Sequence, residues 1–224
     1  MREISRNTRD TATLLLLAFA SATTDILAFI GLGAVFTSAM TGNTAMLGIG
    51  IGEGHAAAAS RALAALLGFL AGAVGATLLG HLRRPDALTA ALAFEALCLA
   101  LFVVVWIGWG PGTEALYPLI VLSAVGMGAQ SVSARRIDLP GIPTVVFTST
   151  LTNICMAATE AALRRQPLSA DAIRQIAAFF TYLCGAALAG VLGAHSLGSI
   201  VWLPLVAVFA ALMLRFGSGG TRQK

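Results

Sequence analysis

Residues 36–43 read FTSAMTGN: Phe36, Thr37, Ser38, Ala39, Met40, Thr41, Gly42 and Asn43. They set three hydroxyls and an amide directly after Thr11–Val35, an apolar run whose one acid is Asp25. Nearly the same wording returns at 147–153 as FTSTLTN, an offset of 147 − 36 = 111. A second pair follows in the same order: the run from Arg61 to His81 resembles that from Arg174 to Ala194, an offset of 174 − 61 = 113. Both runs space small residues four apart, Gly68, Gly72, Ala76 and Gly80 in the first and Gly185, Ala189 and Gly193 in the second. Such spacing lets helix backbones approach closely in lipid. These matches predict a duplication within a single membrane domain covering residues 1–224, with halves at about 11–108 and 115–215. Each half reads span, FTS segment, span, span.

The composition supports that reading. The chain is 58% hydrophobic and 11% charged, with a mean hydropathy of +0.87, whereas soluble proteins carry roughly 25% charged residues. Six runs have the length of a span, about 20 residues: Thr11–Val35, Ala62–Leu82, Ala87–Ile107, Leu116–Ala134, Ile176–Ala194 and Leu197–Leu214. Arg2, Arg6 and Arg9 before LLLLAFASA resemble a secretory leader. The apolar run continues through ILAFIGLGAV, however, so it reads as the first span. The net charge of +4 does not point to nucleic acid, because the basic residues lie at span ends and there set orientation. Cys98, Cys155 and Cys184 are odd in number, contain no C-x-x-C and lie in apolar segments, as packing residues do.

The charge rule also decides whether the FTS segments cross. Were both to span, giving eight crossings, ten Lys/Arg would lie inside and four outside. With both re-entrant and six spans, Arg61 alone lies outside and the other thirteen inside, which the positive-inside rule favours. Trp106, Trp109, Tyr117 and Trp202 then gather at the outer interface. Three spans per half invert the second half relative to the first. FTSAMTGN dips in from outside and FTSTLTN from inside, both ending near the midplane. Broken backbone survives at that depth only inside protein or along a water-filled cavity, and paired breaks in inverted repeats point to a transporter's central site. The expected fold is thus all-α: six transmembrane helices plus two re-entrant segments in an inverted 3+3 repeat. Both termini are expected in the cytoplasm.

Asp25 lies midway along the first span. An ionised carboxylate there costs about 2.5–3.5 kcal/mol on insertion scales, so it must find a partner or hold a proton. Two roles fit: a solute, cation or proton site, and a hydrogen-bonding Asp that caps a break formed with Thr23 and Thr24. Its counterpart in the second half reads as Gln130. Thr37, Ser38, Thr41 and Asn43, with Thr148, Ser149, Thr152 and Asn153, offer neutral donors and acceptors near the midplane. They line a solute path or satisfy their own broken backbone. Thr41 and Thr152 each precede an apolar helical stretch, as an N-cap does, and helix N-termini suit an anionic group. Glu95 is placed to pair with Arg83 or Arg84. His55, His81 and His195 lack metal-ligand spacing. GIGIGEG at 48–54 misses the G-x-G-x-x-G pattern and follows no strand. No cofactor, metal or enzymatic machinery is expected.

Asp25 and Phe29, then Phe36, MTGN at 40–43 and Leu47-Gly48, resemble the YoaK-like family of bacterial inner-membrane proteins. Met127-Gly128, Gln130, Ala134-Arg135, Thr148 and TLT at 150–152 extend the resemblance through the second half. The sequence departs from that pattern at Asn153, where a T-G-T run is usual, and at Ser131, where asparagine is common. The resemblance implies a compact multi-span protein of the bacterial inner membrane and leaves activity unassigned. The leading expectation is a permease or channel for a small polar or anionic solute, with a central site built from the two FTS segments and Asp25. Coupling, if there is any, would be to protons through Asp25, and a homo-oligomer is open to the chain. The rival is a non-transporting scaffold or lipid- or partner-binding module that uses the small-residue faces.

Overall fold

A computed structural model describes residues 2–83, 86–137 and 147–216. Arg84, named above as a partner for Glu95, lies outside them. Eight α-helices follow in order: α1 Arg2–Gly31, α2 Met40–Gly52, α3 Ala56–Leu82, α4 Ala87–Trp109, α5 Leu116–Arg136, α6 Phe147–Arg164, α7 Ala170–His195 and α8 Leu203–Phe216. A 3-10 turn, Leu197–Ser199, precedes α8, and no strand occurs among the described residues. Six helical stretches are long and apolar enough to cross a membrane: Asn7–Gly31, Ala56–Leu82, Ala87–Trp109, Leu116–Arg136, Ala170–His195 and Leu197–Phe216. They coincide with the six runs expected from sequence. α2, with 13 residues, rises about 20 Å, less than the roughly 30 Å hydrocarbon core. α6 is long enough at 18 residues but too polar.

Each spanning helix sorts its residues by size. On α3, Leu63, Leu67, Leu70, Val74 and Leu78 repeat every three or four positions and face outward, as a lipid-facing stripe must. Ala62, Ala65, Gly68, Gly72, Ala76 and Gly80 form the opposite, buried face, which lies against α5. The approach is tight. A Cβ on Gly72 would sit 2.0 Å from the Val125 carbonyl oxygen, and one on Gly128 would sit 2.1 Å from that of Phe69. α7 meets α1 similarly at Gly185, where a Cβ would be 3.0 Å from Phe19. The small-residue stripes are therefore internal seams.

Side-chain contacts fix the two ends of the bundle. At one end the Arg61 side chain donates from Nε to the Gly33 carbonyl (3.1 Å), Ser60 and Tyr117 hydroxyls meet at 2.6 Å, and Gly31 packs on Trp106. At the other, Arg136 donates to the Ala87 carbonyl (2.9 Å) and Arg215 pairs with Asp10 (2.7 Å). Trp109, Tyr117 and Trp202 are exposed at the first end, as an interfacial belt requires. Trp106 is not part of that belt. It is buried in the core with Leu27, Leu32 and Phe102, because the absence of a side chain at Gly31 leaves it room.

Candidate functional site

α1 does not break at Thr23–Asp25, contrary to one expectation. It runs unbroken through Asp25 because Thr23 and Thr24 turn their hydroxyls back onto the Phe19 and Ala20 carbonyls. The break comes after Gly31, where Gly33 and Ala34 take positive φ of 82° and 62°. Gly33 does so without steric cost. Ala34, with a Cβ, is held in a conformation that costs roughly 1–2 kcal/mol. The chain then doubles back, and residues 37–38 return beside the later part of α1, at Ser21 and Asp25, before α2 packs on α3.

Asp25 holds this return. Its carboxylate is fully buried and accepts five hydrogen bonds. Oδ1 accepts from the backbone N–H of Thr37 (2.8 Å), the N–H of Ser38 (2.8 Å) and the Thr37 hydroxyl (3.2 Å). Oδ2 accepts from the Ser38 hydroxyl at 2.5 Å and from the Tyr182 hydroxyl of α7 at 3.2 Å. Ser21, one turn earlier on α1, donates to Ser38 Oγ (2.9 Å). Asn43 closes the loop from the other side, accepting from the Phe36 N–H at Oδ1 (3.0 Å) and donating from Nδ2 to the Phe36 carbonyl (2.5 Å). An amide side chain thus stands in for the neighbouring backbone that a sheet or helix would supply.

Of the residues expected at the site, the structure brings Asp25, Thr37, Ser38 and Asn43 together. Thr41 is exposed as the second residue of α2 and is no N-cap; that position falls to Ala39, with no side-chain cap. Thr152 is not an N-cap either. It lies in the interior of α6, donating to the Thr148 carbonyl (3.0 Å). Thr148, Ser149, Thr152 and Asn153 are exposed on α6, whose packing is against α7. Gln130 lies elsewhere: buried on α5, it donates from Nε2 to the Leu17 carbonyl of α1 (2.9 Å). In sequence Asp138 stands 147 − 138 = 9 residues before the second FTS, much as Asp25 stands 36 − 25 = 11 before the first, and it is outside the described residues. Glu95 forms no ion pair with Arg83. It is fully buried, and neither carboxyl oxygen has a hydrogen-bond partner among the described residues. Tyr182 was missed entirely. It is a tyrosine in an apolar span, and nothing in the spacing marks which helix it faces.

His55 pairs with Glu53 in the loop after α2, and His195 bonds its own helix at Val191. No group of three or more metal-ligating side chains occurs among the described residues.

Six apolar helices of spanning length, with a buried polar knot between α1, the returning segment and α7, define a polytopic membrane protein. A family model described as a protein of unknown function (DUF1275) matches residues 13–214. The UPF0700 transmembrane protein YoaK of Bacillus subtilis (strain 168) is 30% identical over 205 residues, covering 88% of this chain and 90% of that protein. No solved structure matches. The chain belongs to the DUF1275 family and is a multi-pass membrane protein, in agreement with the resemblance carried by MTGN and its upstream Asp25.

Proposed function

We propose that this protein is a permease or channel for a small polar or anionic solute, in the bacterial inner membrane with both termini cytoplasmic. The observation that carries the reading is a broken backbone segment held against the spanning helix α1 by the buried carboxyl group of Asp25. Non-helical chain at membrane depth is tolerated only beside protein or water, and transporter sites are built from such half-helices. α2 starts beside that segment with no side-chain cap; the Met40, Gly42 and Asn43 N–H groups bond the Ser38 and Ala39 carbonyls, so it is the positive end of the helix dipole that suits an anionic or strongly dipolar solute.

The packing pattern supports the inverted-repeat part of the reading. α3 packs on α5 as α7 packs on α1, α4 on α5 as α8 on α1, and α2 on α3 as α6 on α7. Exchanging the halves exchanges these pairs. Asp25 is the positioning residue in this scheme, since its acceptor sites are taken by the chain's own donors. Thr41, exposed beside the uncapped N-terminus of α2, meets the solute. The scaffold alternative loses its main support, because the small-residue faces it would offer to a partner are occupied within the chain.

The test is solute flux into proteoliposomes, followed by light scattering across a panel of small neutral and anionic solutes. Flux above that of empty vesicles, reduced at least tenfold by Asp25→Asn and altered in solute preference by Thr41→Val, is the expected result. Permeability equal to that of empty vesicles for every solute, with correctly folded protein, would refute the transport reading.

A further inference from the structure

A second polar layer lies apart from the Asp25 knot. The antiparallel register of α4 and α5 fixes it. A Cβ on Gly126 of α5 would sit 3.6 Å from the Cys98 Cβ and 3.7 Å from Leu99 of α4, while Ala129 and Ala91 share one small-residue cluster with Ala76 of α3. Counted one helical turn from the Gly126–Leu99 contact, Gln130 on α5 and Glu95 on α4 fall at one level of this antiparallel pair. Both are fully buried. Gln130 gives one of its two amide N–H donors to the Leu17 carbonyl, and its Oε1 has no donor among the described residues. Both oxygens of Glu95 also lack a donor. The layer therefore sets three acceptor atoms beside one apolar cluster: Leu92 and Leu99 flank Glu95 one turn away on α4, and Leu17, whose carbonyl Gln130 bonds, belongs to the same cluster.

Acceptors left beside such a cluster are costly unless something positive joins them. Among the described residues no cation is offered there. Arg136 of α5 is engaged with the Ala87 carbonyl at the end of the bundle, and Arg215 of α8 with Asp10 of α1. Asp25 lies eight residues along α1 from Leu17, about 12 Å away. α3 brings small apolar residues to this level, with His81 exposed at its far end. Cys98, one turn along α4, is the nearest other titratable group.

We infer that Glu95 and the Gln130 carbonyl form a buried binding site for one monovalent positive charge, either a proton or an alkali cation. The proton arm balances simply: it is bound on a Glu95 carboxyl oxygen as O–H, which donates toward Gln130 Oε1, and is released to water when the site opens. The site does not depend on the transport reading, because occupancy is measured on the purified protein without any solute.

Two measurements on full-length protein in nanodiscs test it. Infrared difference spectra between acidic and alkaline buffer, on protein carrying carbon-13-labelled glutamate, report a protonated glutamic acid. Unfolding midpoints in sodium, potassium and choline chloride at equal ionic strength report an alkali cation. A protonated-carboxyl band that Glu95→Gln removes and Gln130→Leu shifts supports the proton arm. A sodium- or potassium-specific rise in midpoint, absent in Glu95→Gln, supports the cation arm. The inference is overturned if wild-type protein shows neither the band nor an ion-specific midpoint. It is equally overturned if folded Glu95→Gln or Glu95→Leu protein reproduces both wild-type responses. The wild-type readings decide the matter even where a variant does not fold.

Discussion

The Asp25 carboxylate satisfies backbone that would otherwise be orphaned. Two of its five bonds come from main-chain N–H groups in a segment that is neither helix nor strand. Removing the charge while keeping the shape turns an acceptor into an amide whose NH2 faces those donors. Asp25→Asn is expected to destabilise the fold by about 2–3 kcal/mol, the scale for losing hydrogen bonds to a charged group and stranding buried donors. Tyr182→Phe removes a single hydroxyl donor and should cost about 1 kcal/mol. Chemical unfolding in detergent, followed by tryptophan fluorescence, measures both. Equal losses would mean that Oδ1 and its backbone partners matter no more than the α7 contact. At Asn43 the prediction concerns a pair of main-chain groups: Asn43→Leu leaves the Phe36 N–H and C=O without partners and should cost about 1–3 kcal/mol for each group that stays dry.

Among the elements, spans were legible and rotations were not. An apolar run of span length is a local property, so all six spanning helices could be read from sequence, as could the small-residue seams at Gly72 and Gly185. The first broken segment was legible for the same reason: its polar residues interrupt the run. What the sequence did not carry was the partner of each polar side chain. Gln130 aligns loosely with Asp25 by order along the chain, yet helix rotation turns it to the Leu17 carbonyl. Tyr182 reaches Asp25 across 157 residues of sequence, a pairing no periodicity encodes. Thr41 and Thr152 read as caps because hydroxyls precede apolar stretches, but the helices begin one residue before the one and five before the other. The seams themselves are testable. Gly72→Ala places a methyl 2.0 Å from a backbone oxygen, which neither helix can relieve without separating, so a loss of more than about 3 kcal/mol or failure to fold is expected. Gly48→Ala, on α2 with nothing within 4 Å, should instead stabilise by about 0.5–1 kcal/mol. Thermal unfolding monitored by size-exclusion chromatography separates the two. Similar midpoints for both variants would mean that the α3–α5 seam has slack.

At the scale of the whole molecule the six-span arrangement predicts which surfaces face which compartment. In a background lacking Cys98, Cys155 and Cys184, a cysteine at Glu53 is expected to react with a membrane-impermeant thiol reagent in intact cells. One at Asp86 is expected to react only after lysis. The reverse pattern would mean eight crossings, with α2 and α6 both traversing the bilayer. Thirteen of the fourteen basic residues fall on the inner side in the six-span arrangement, so one labelling experiment tests both orientation and span number.

The short sequence distance between Asp25 and its main donors bears on how the chain is made. Thr37 and Ser38 follow within 13 residues, so they leave the ribosome about a second after the acid at ordinary synthesis rates. α1 and the returning segment can therefore enter the bilayer as a preassembled hairpin with its charge already wrapped. Tyr182 arrives only with α7, as a late fastener on a knot already tied.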